Sequence, residues 1–134
     1  MKTALILAIA ILLGQARPPR NDPNGIWQAE TGTRFELRLT GSDLRVQLVE
    51  GSNPRFVKYE VNLKNTGEVN TYTGTGSFVA KMQNGKECRF DTEWQIIVVQ
   101  AEKIAGFTSS VVPDPETCEV TGRTSIMIEL QKKN

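Results

Sequence analysis

A chain of 134 residues with 39% hydrophobic content, 16 Lys and Arg against 15 Asp and Glu, no histidine and two cysteines is long enough to bury one core of ordinary domain size. The balanced charge leaves no basic stripe of the kind that holds nucleic acid or an acidic membrane surface, and neither is expected as a partner. Without histidine the commonest general base is missing, together with every Ser-His-Asp and Cys-His arrangement, and a non-enzymatic protein is expected.

The chain opens on Lys2, an apolar run of ten residues over 4–13, and then Gly14-Gln15-Ala16 before Arg17. A charged start, an apolar stretch and a small-x-small site in that order predict a signal peptide over residues 1–16, cut after Ala16. A membrane-spanning helix needs roughly 20 residues, so the run is too short for one and no membrane anchor is expected. A lipoprotein would need cysteine where Arg17 stands. The mature protein is therefore expected to be exported, periplasmic or extracellular. Residues 17–24 read RPPRNDPN, with three prolines and no apolar periodicity, and predict a flexible N-terminal arm.

Residues 25–134 form the predicted domain, and there the dominant signal is alternation with period two. Phe35, Leu37 and Leu39 alternate with charged residues as far as a turn at Gly41-Ser42-Asp43, after which Leu44, Val46 and Leu48 continue the pattern. Beyond the break at Gly51-Ser52-Asn53-Pro54, the same parity joins Val57, Tyr59, Val61 and Leu63. Tyr72, Gly74, Gly76, Phe78, Ala80 and Met82 share the next face. Gly74 and Gly76 within a strand predict a bend or a close backbone approach, and Asn84-Gly85 supplies a turn. Cys88, Phe90, Trp94, Ile96 and Val98 then fall on one parity, followed by a strand over 104–111, a proline-bearing loop and a closing strand with Ile126, Ile128 and Leu130. Ile97, Val99 and Met127 break the alternation and predict segments covered on both faces or paired with another chain. About eight to nine sequential strands without a helical stripe predict an all-β, antiparallel up-and-down barrel, which leaves no exposed edges.

Cys88 and Cys118 each keep the parity of their apolar neighbours, and an even pair of thiols in an exported chain predicts a disulfide between them. Closing a loop of about thirty residues contributes roughly 3–4 kcal/mol in the chain-entropy account.

Gly25-Ile26-Trp27, a Gly-x-Trp placed just before the first strand of a hairpin meander, resembles the lipocalin-like (calycin) β-barrels, and the chain is similar to a small bacterial exported member of that group. The absence of any Asn-x-Ser/Thr sequon agrees with such a source. The resemblance implies that Trp27 lies across the closed end of the barrel with an arginine stacked on it, and Arg123 is the position that matches. Neither the helix that follows the strands in larger lipocalins nor an arginine after the closing strand is present.

No metal or cofactor is expected. Two cysteines without histidine do not complete a zinc site, Asp114 and Glu116 lack the ligand ladder of a calcium loop, and Gly74-Thr75-Gly76 does not open a helix. Asp91 and Glu93 share a strand face and read as solvated carboxylates beside Arg89 rather than a catalytic pair. Tyr59, Tyr72, Phe78, Phe90 and Trp94, with Thr92, fall on the apolar parity and form the candidate ligand-binding set. Their rings either fill the core or line a cavity. The first arrangement suits a protein-interaction module, such as an inhibitor or envelope assembly factor. The second suits a barrel holding a small apolar or amphipathic ligand, which is the leading expectation.

Overall fold

The computed structural model describes residues 19–133; the predicted signal peptide lies outside them. Eight strands follow in order: β1 Gly25–Ala29, β2 Arg34–Thr40, β3 Asp43–Leu48, β4 Phe56–Asn65, β5 Thr71–Lys81, β6 Glu87–Gln100, β7 Lys103–Pro113 and β8 Val120–Lys133. Each pairs antiparallel with the next, and β8 returns to β1, so the sheet closes as an up-and-down barrel. Among the described residues there is no helix.

The period-two pattern produces this sheet because it gives each strand one wet and one apolar face. In β6 burial alternates without interruption from Cys88 through Phe90, Thr92, Trp94 and Ile96 to Val98. Parity fails at the start of β4. A bulge between Phe56 and Lys58 turns Phe56 toward the core and leaves Val57, expected inside, 49% exposed. One extra residue on the bulged strand shifts every earlier side chain to the other face. Ile97, Val99 and Met127 point outward and are exposed.

Three interior glycines let the barrel coil tightly. A Cβ on Gly74 or Gly76 would overlap the carbonyl oxygens of Asn62 and Glu60 on β4, and one on Gly106 that of Gln95 on β6. Of the bend or close backbone approach expected at Gly74 and Gly76 the second is found, and Gly106, which the sequence did not single out, serves the same close approach.

At the closed end Trp27 is fully buried, and its indole N–H donates to the Pro23 carbonyl at 2.9 Å. The cation over its ring is Lys132, 5.5 Å from the centroid, because Lys132 sits directly opposite Trp27 in the β1–β8 ladder. Arg123 does not take that place. It lies nine positions away on β8, about 30 Å at ~3.3 Å per residue, and instead donates to the Asp91 carbonyl at 3.4 Å.

Residues 19–24, the described part of the segment expected to be a flexible arm, lie against one end of the barrel. Asn70, buried and left-handed at φ 66°, accepts from the Asn21 main-chain N–H at 2.7 Å and donates to the Pro19 carbonyl at 2.9 Å. Asn21 in turn donates its side-chain amide to the Val98 carbonyl at 2.9 Å. Side-chain amides thus satisfy main-chain groups at a barrel end that strands alone would leave open.

At the other end the ladders stop early. Pairing of β6 with β7 begins at Trp94 and Thr108, and pairing of β8 with β1 reaches only Leu130 and Ala29. Above those points β7 and β8 continue together as a two-stranded ribbon, paired from Lys103 to Pro113. A disulfide from Cys88 to Cys118, Cα atoms 5.4 Å apart, ties the ribbon tip to β6. Side-chain contacts of Asn84 with Pro115 and of Lys86 with Glu116 accompany it. The inside-outside parity of the rest of β7 reverses there: Val111 packs on the core while Val112 is 56% exposed.

Candidate ligand cavity

The interior is solid at one end and hollow at the other. An aromatic layer divides the two. Trp94 on β6 donates its indole N–H to the Tyr59 hydroxyl on β4 at 3.0 Å, which fixes both rings. Phe35 from β2 meets Trp94 and Tyr59 edge-on, with centroids 5.3 and 5.4 Å away. Tyr59 stacks on Phe78 at 5.0 Å, Phe56 packs edge-on against both, and Phe90 lies 5.5 Å from Phe78. Edge-to-face and offset contacts of this kind add to the burial of the rings and hold them rigid.

On the near side of this layer a cavity of about 1050 Å³ opens to solvent. Its floor is the aromatic set. One wall comes from the β7–β8 ribbon, with Val111, Ile126, Ile128 and Leu130, and its rim carries Thr33, Asn53, Arg55 and Lys81. The Asn53 side-chain amide donates to the Thr33 hydroxyl at 2.8 Å, so this part of the rim is fixed. On the far side Leu37, Leu44, Val46, Val61, Leu63 and Ile96 are each at most 1% exposed.

Of the six predicted ligand residues, Tyr59, Phe78, Phe90 and Trp94 line the cavity and Tyr72 and Thr92 do not. Tyr72 is 3% exposed and packs in the solid half opposite Ile96, where burial pushes its phenol above the ordinary tyrosine range. The Thr92 hydroxyl is engaged by those of Thr108 and Ser109, each at 3.2 Å, where β6 and β7 begin to part. Parity placed all six inside but carried no information about height along the barrel. Phe56 was missed because the bulge reverses its parity, and the ribbon residues because their place depends on where two ladders end.

The carboxylates take no part in the cavity. Asp91 and Glu93 are exposed on the outer face of β6. Asp114 accepts from the main-chain N–H groups of Glu116 and Thr117 at 2.9 and 3.3 Å, shaping its own loop. Among the described residues no group of three or more His, Cys, Asp or Glu is arranged to hold a metal ion. The barrel agrees with a lipocalin-like architecture. No protein-family model, curated protein or solved structure matches the chain.

Proposed function

We propose that this protein is a non-enzymatic, exported lipocalin-like barrel that takes a small apolar or amphipathic molecule into the open half of its lumen. The observation that carries the reading is the aromatic floor beneath a cavity of about 1050 Å³, just above the ~300–1,000 Å³ typical of small-molecule sites. Burial of apolar ligand surface supplies affinity at about 25 cal/mol per Å². Tyr59, accepting from Trp94, keeps its own hydroxyl proton to donate to a polar group of the ligand. Leaving that donor unpaired discriminates against a purely hydrocarbon ligand. The disulfide suits an oxidising compartment, and with the signal-like start it supports the periplasm or the extracellular space as the site of action.

The test is extraction of the exported protein with organic solvent, followed by titration of the stripped protein with anilinonaphthalene sulfonate while tryptophan emission is recorded. Trp94 in the floor should report occupancy. Saturable one-to-one binding that Ile128→Phe weakens at least tenfold, with the fold retained, supports the reading. No saturable response from a folded protein refutes it. Gly76→Leu is unsuitable for filling the lumen, since its side chain would collide with the backbone of β4.

A further inference from the structure

One wall of the cavity differs chemically from the rest. Lys132 donates its main-chain N–H to the Glu102 carbonyl at 3.0 Å, toward the β7 side. Because successive residues of a strand turn their main-chain groups to opposite edges, the even-numbered residues of upper β8 face β7. The N–H and C=O groups of Ser125, Met127 and Glu129 therefore face the other edge. There β1 would have to continue to meet them, but its pairing ends at Ala29 and Leu130. Among the described residues no strand covers upper β8 on this side, and the space beside it is the cavity, which Ile126, Met127, Ile128 and Glu129 line together.

A free edge of this kind is usually blunted by lysine, proline or a covering loop. Here residues 125–129 read Ser-Ile-Met-Ile-Glu, and Met127 is 71% exposed, with Ile126 at 44%. A compact apolar ligand would fill the lumen and leave these main-chain groups to water. A ligand that satisfies both parts of the site needs regularly spaced amides together with apolar side chains on one face, which describes an extended peptide.

We propose that the occupant of the lumen is an extended peptide segment of a partner, added as a strand to the free edge of β8, with alternate apolar side chains directed onto the aromatic floor. This rests on the reading of the lumen as a binding cavity and puts a partner's peptide segment in the place of the small molecule. Main-chain pairing along Arg123 to Glu129 supplies register and the floor supplies side-chain selectivity, the division of labour seen in strand addition generally. A segment of about seven residues spans that edge at ~3.3 Å per residue.

The test uses the exported, disulfide-bonded protein and two probes. The first is a displayed library of heptapeptides with apolar residues at alternate positions, from which binders are selected and resynthesised. The second is anilinonaphthalene sulfonate. Ser125→Pro removes one edge-facing N–H without touching the β7 ladder, a change an edge strand tolerates, and Ser125 is not part of the cavity wall. The expected result is selection of peptides that protect the Ser125 and Met127 amides from hydrogen exchange. Their affinity should fall at least tenfold in Ser125→Pro, while the sulfonate binds both proteins alike. Failure to select any peptide while the sulfonate binds overturns the peptide inference and leaves the cavity reading intact. So does a selected peptide that binds Ser125→Pro as well as the parent. If neither probe binds the folded protein, the cavity reading falls and this inference with it.

Discussion

Replacing both Cys88 and Cys118 by alanine isolates the contribution of the one covalent tie in the barrel. The bridge closes a loop with a sequence separation of 30, for which the chain-entropy relation gives about 3.5 kcal/mol lost on its removal. A domain of this size loses about 3–5 °C for each kcal/mol, so the thermal midpoint should fall by about 10–18 °C. The structure adds where the loosening should start. Above Trp94 and Thr108 the ribbon has no ladder to β6, and the remaining ties there are side-chain hydrogen bonds, from the hydroxyls of Thr92, Thr108 and Ser109 at its base to Arg123 on the Asp91 carbonyl at 3.4 Å. Calorimetry of the double variant against the parent measures the midpoint. Native-state hydrogen exchange locates the change, with amides of the upper ribbon losing protection while Ile96 and Val98 in lower β6 keep theirs. A midpoint within about 3 °C of the parent, or protection lost evenly around the barrel, would refute the view that this bond holds an otherwise weakly attached ribbon.

Tyr59→Phe leaves the buried Trp94 indole N–H without its acceptor, and denaturant titration should show a loss of about 1–3 kcal/mol with a shift in tryptophan emission. Gly76→Ala sets a methyl group against the Glu60 carbonyl; about 3 kcal/mol or more should be lost, read as a lower thermal midpoint or failure to accumulate folded protein. Burial raises the Tyr72 phenol above its unfolded value, so the native state holds its proton longer than the unfolded chain. That contribution is complete below about pH 10 and fades as pH rises through the folded value. Tyr72→Phe should accordingly flatten the decline of stability above pH 10, and an unchanged slope in alkaline denaturation curves would contradict this.

Some of the molecule was legible residue by residue. Alternation from Phe35 to Leu48 and from Cys88 to Val98 determined strands and their inner faces, because a pleated strand has only two faces and water selects which one stays outside. The even pair of thiols, Cys88 and Cys118, pointed to the disulfide, although Cys118 precedes β8 at φ 65° and Val120, its parity partner, is exposed; the strand glycines pointed to a bend or a close backbone approach, and Gly74 and Gly76 make the second. Parity is a local property, however, and it fails wherever one residue is inserted, as at Phe56 and Val57. It also says nothing of height along the barrel, so Tyr72 and Tyr59 looked alike although one is packed in the solid half and the other floors the cavity.

The arm showed the same limit, since nothing local to residues 19–24 reveals that Asn70 and Val98 wait to receive them. Lys132 rather than Arg123 lies over Trp27 because the closing register of β8 on β1 is set by the whole circuit of strands, not by the spacing within either one. What the sequence by itself determined was the kind of element and the side each residue faces, both consequences of period-two burial. Only the tertiary structure decided where the ladders end, and that stagger creates the hollow half, its aromatic floor and the free edge of β8, because a gap between strands belongs to their pairing and to no single strand.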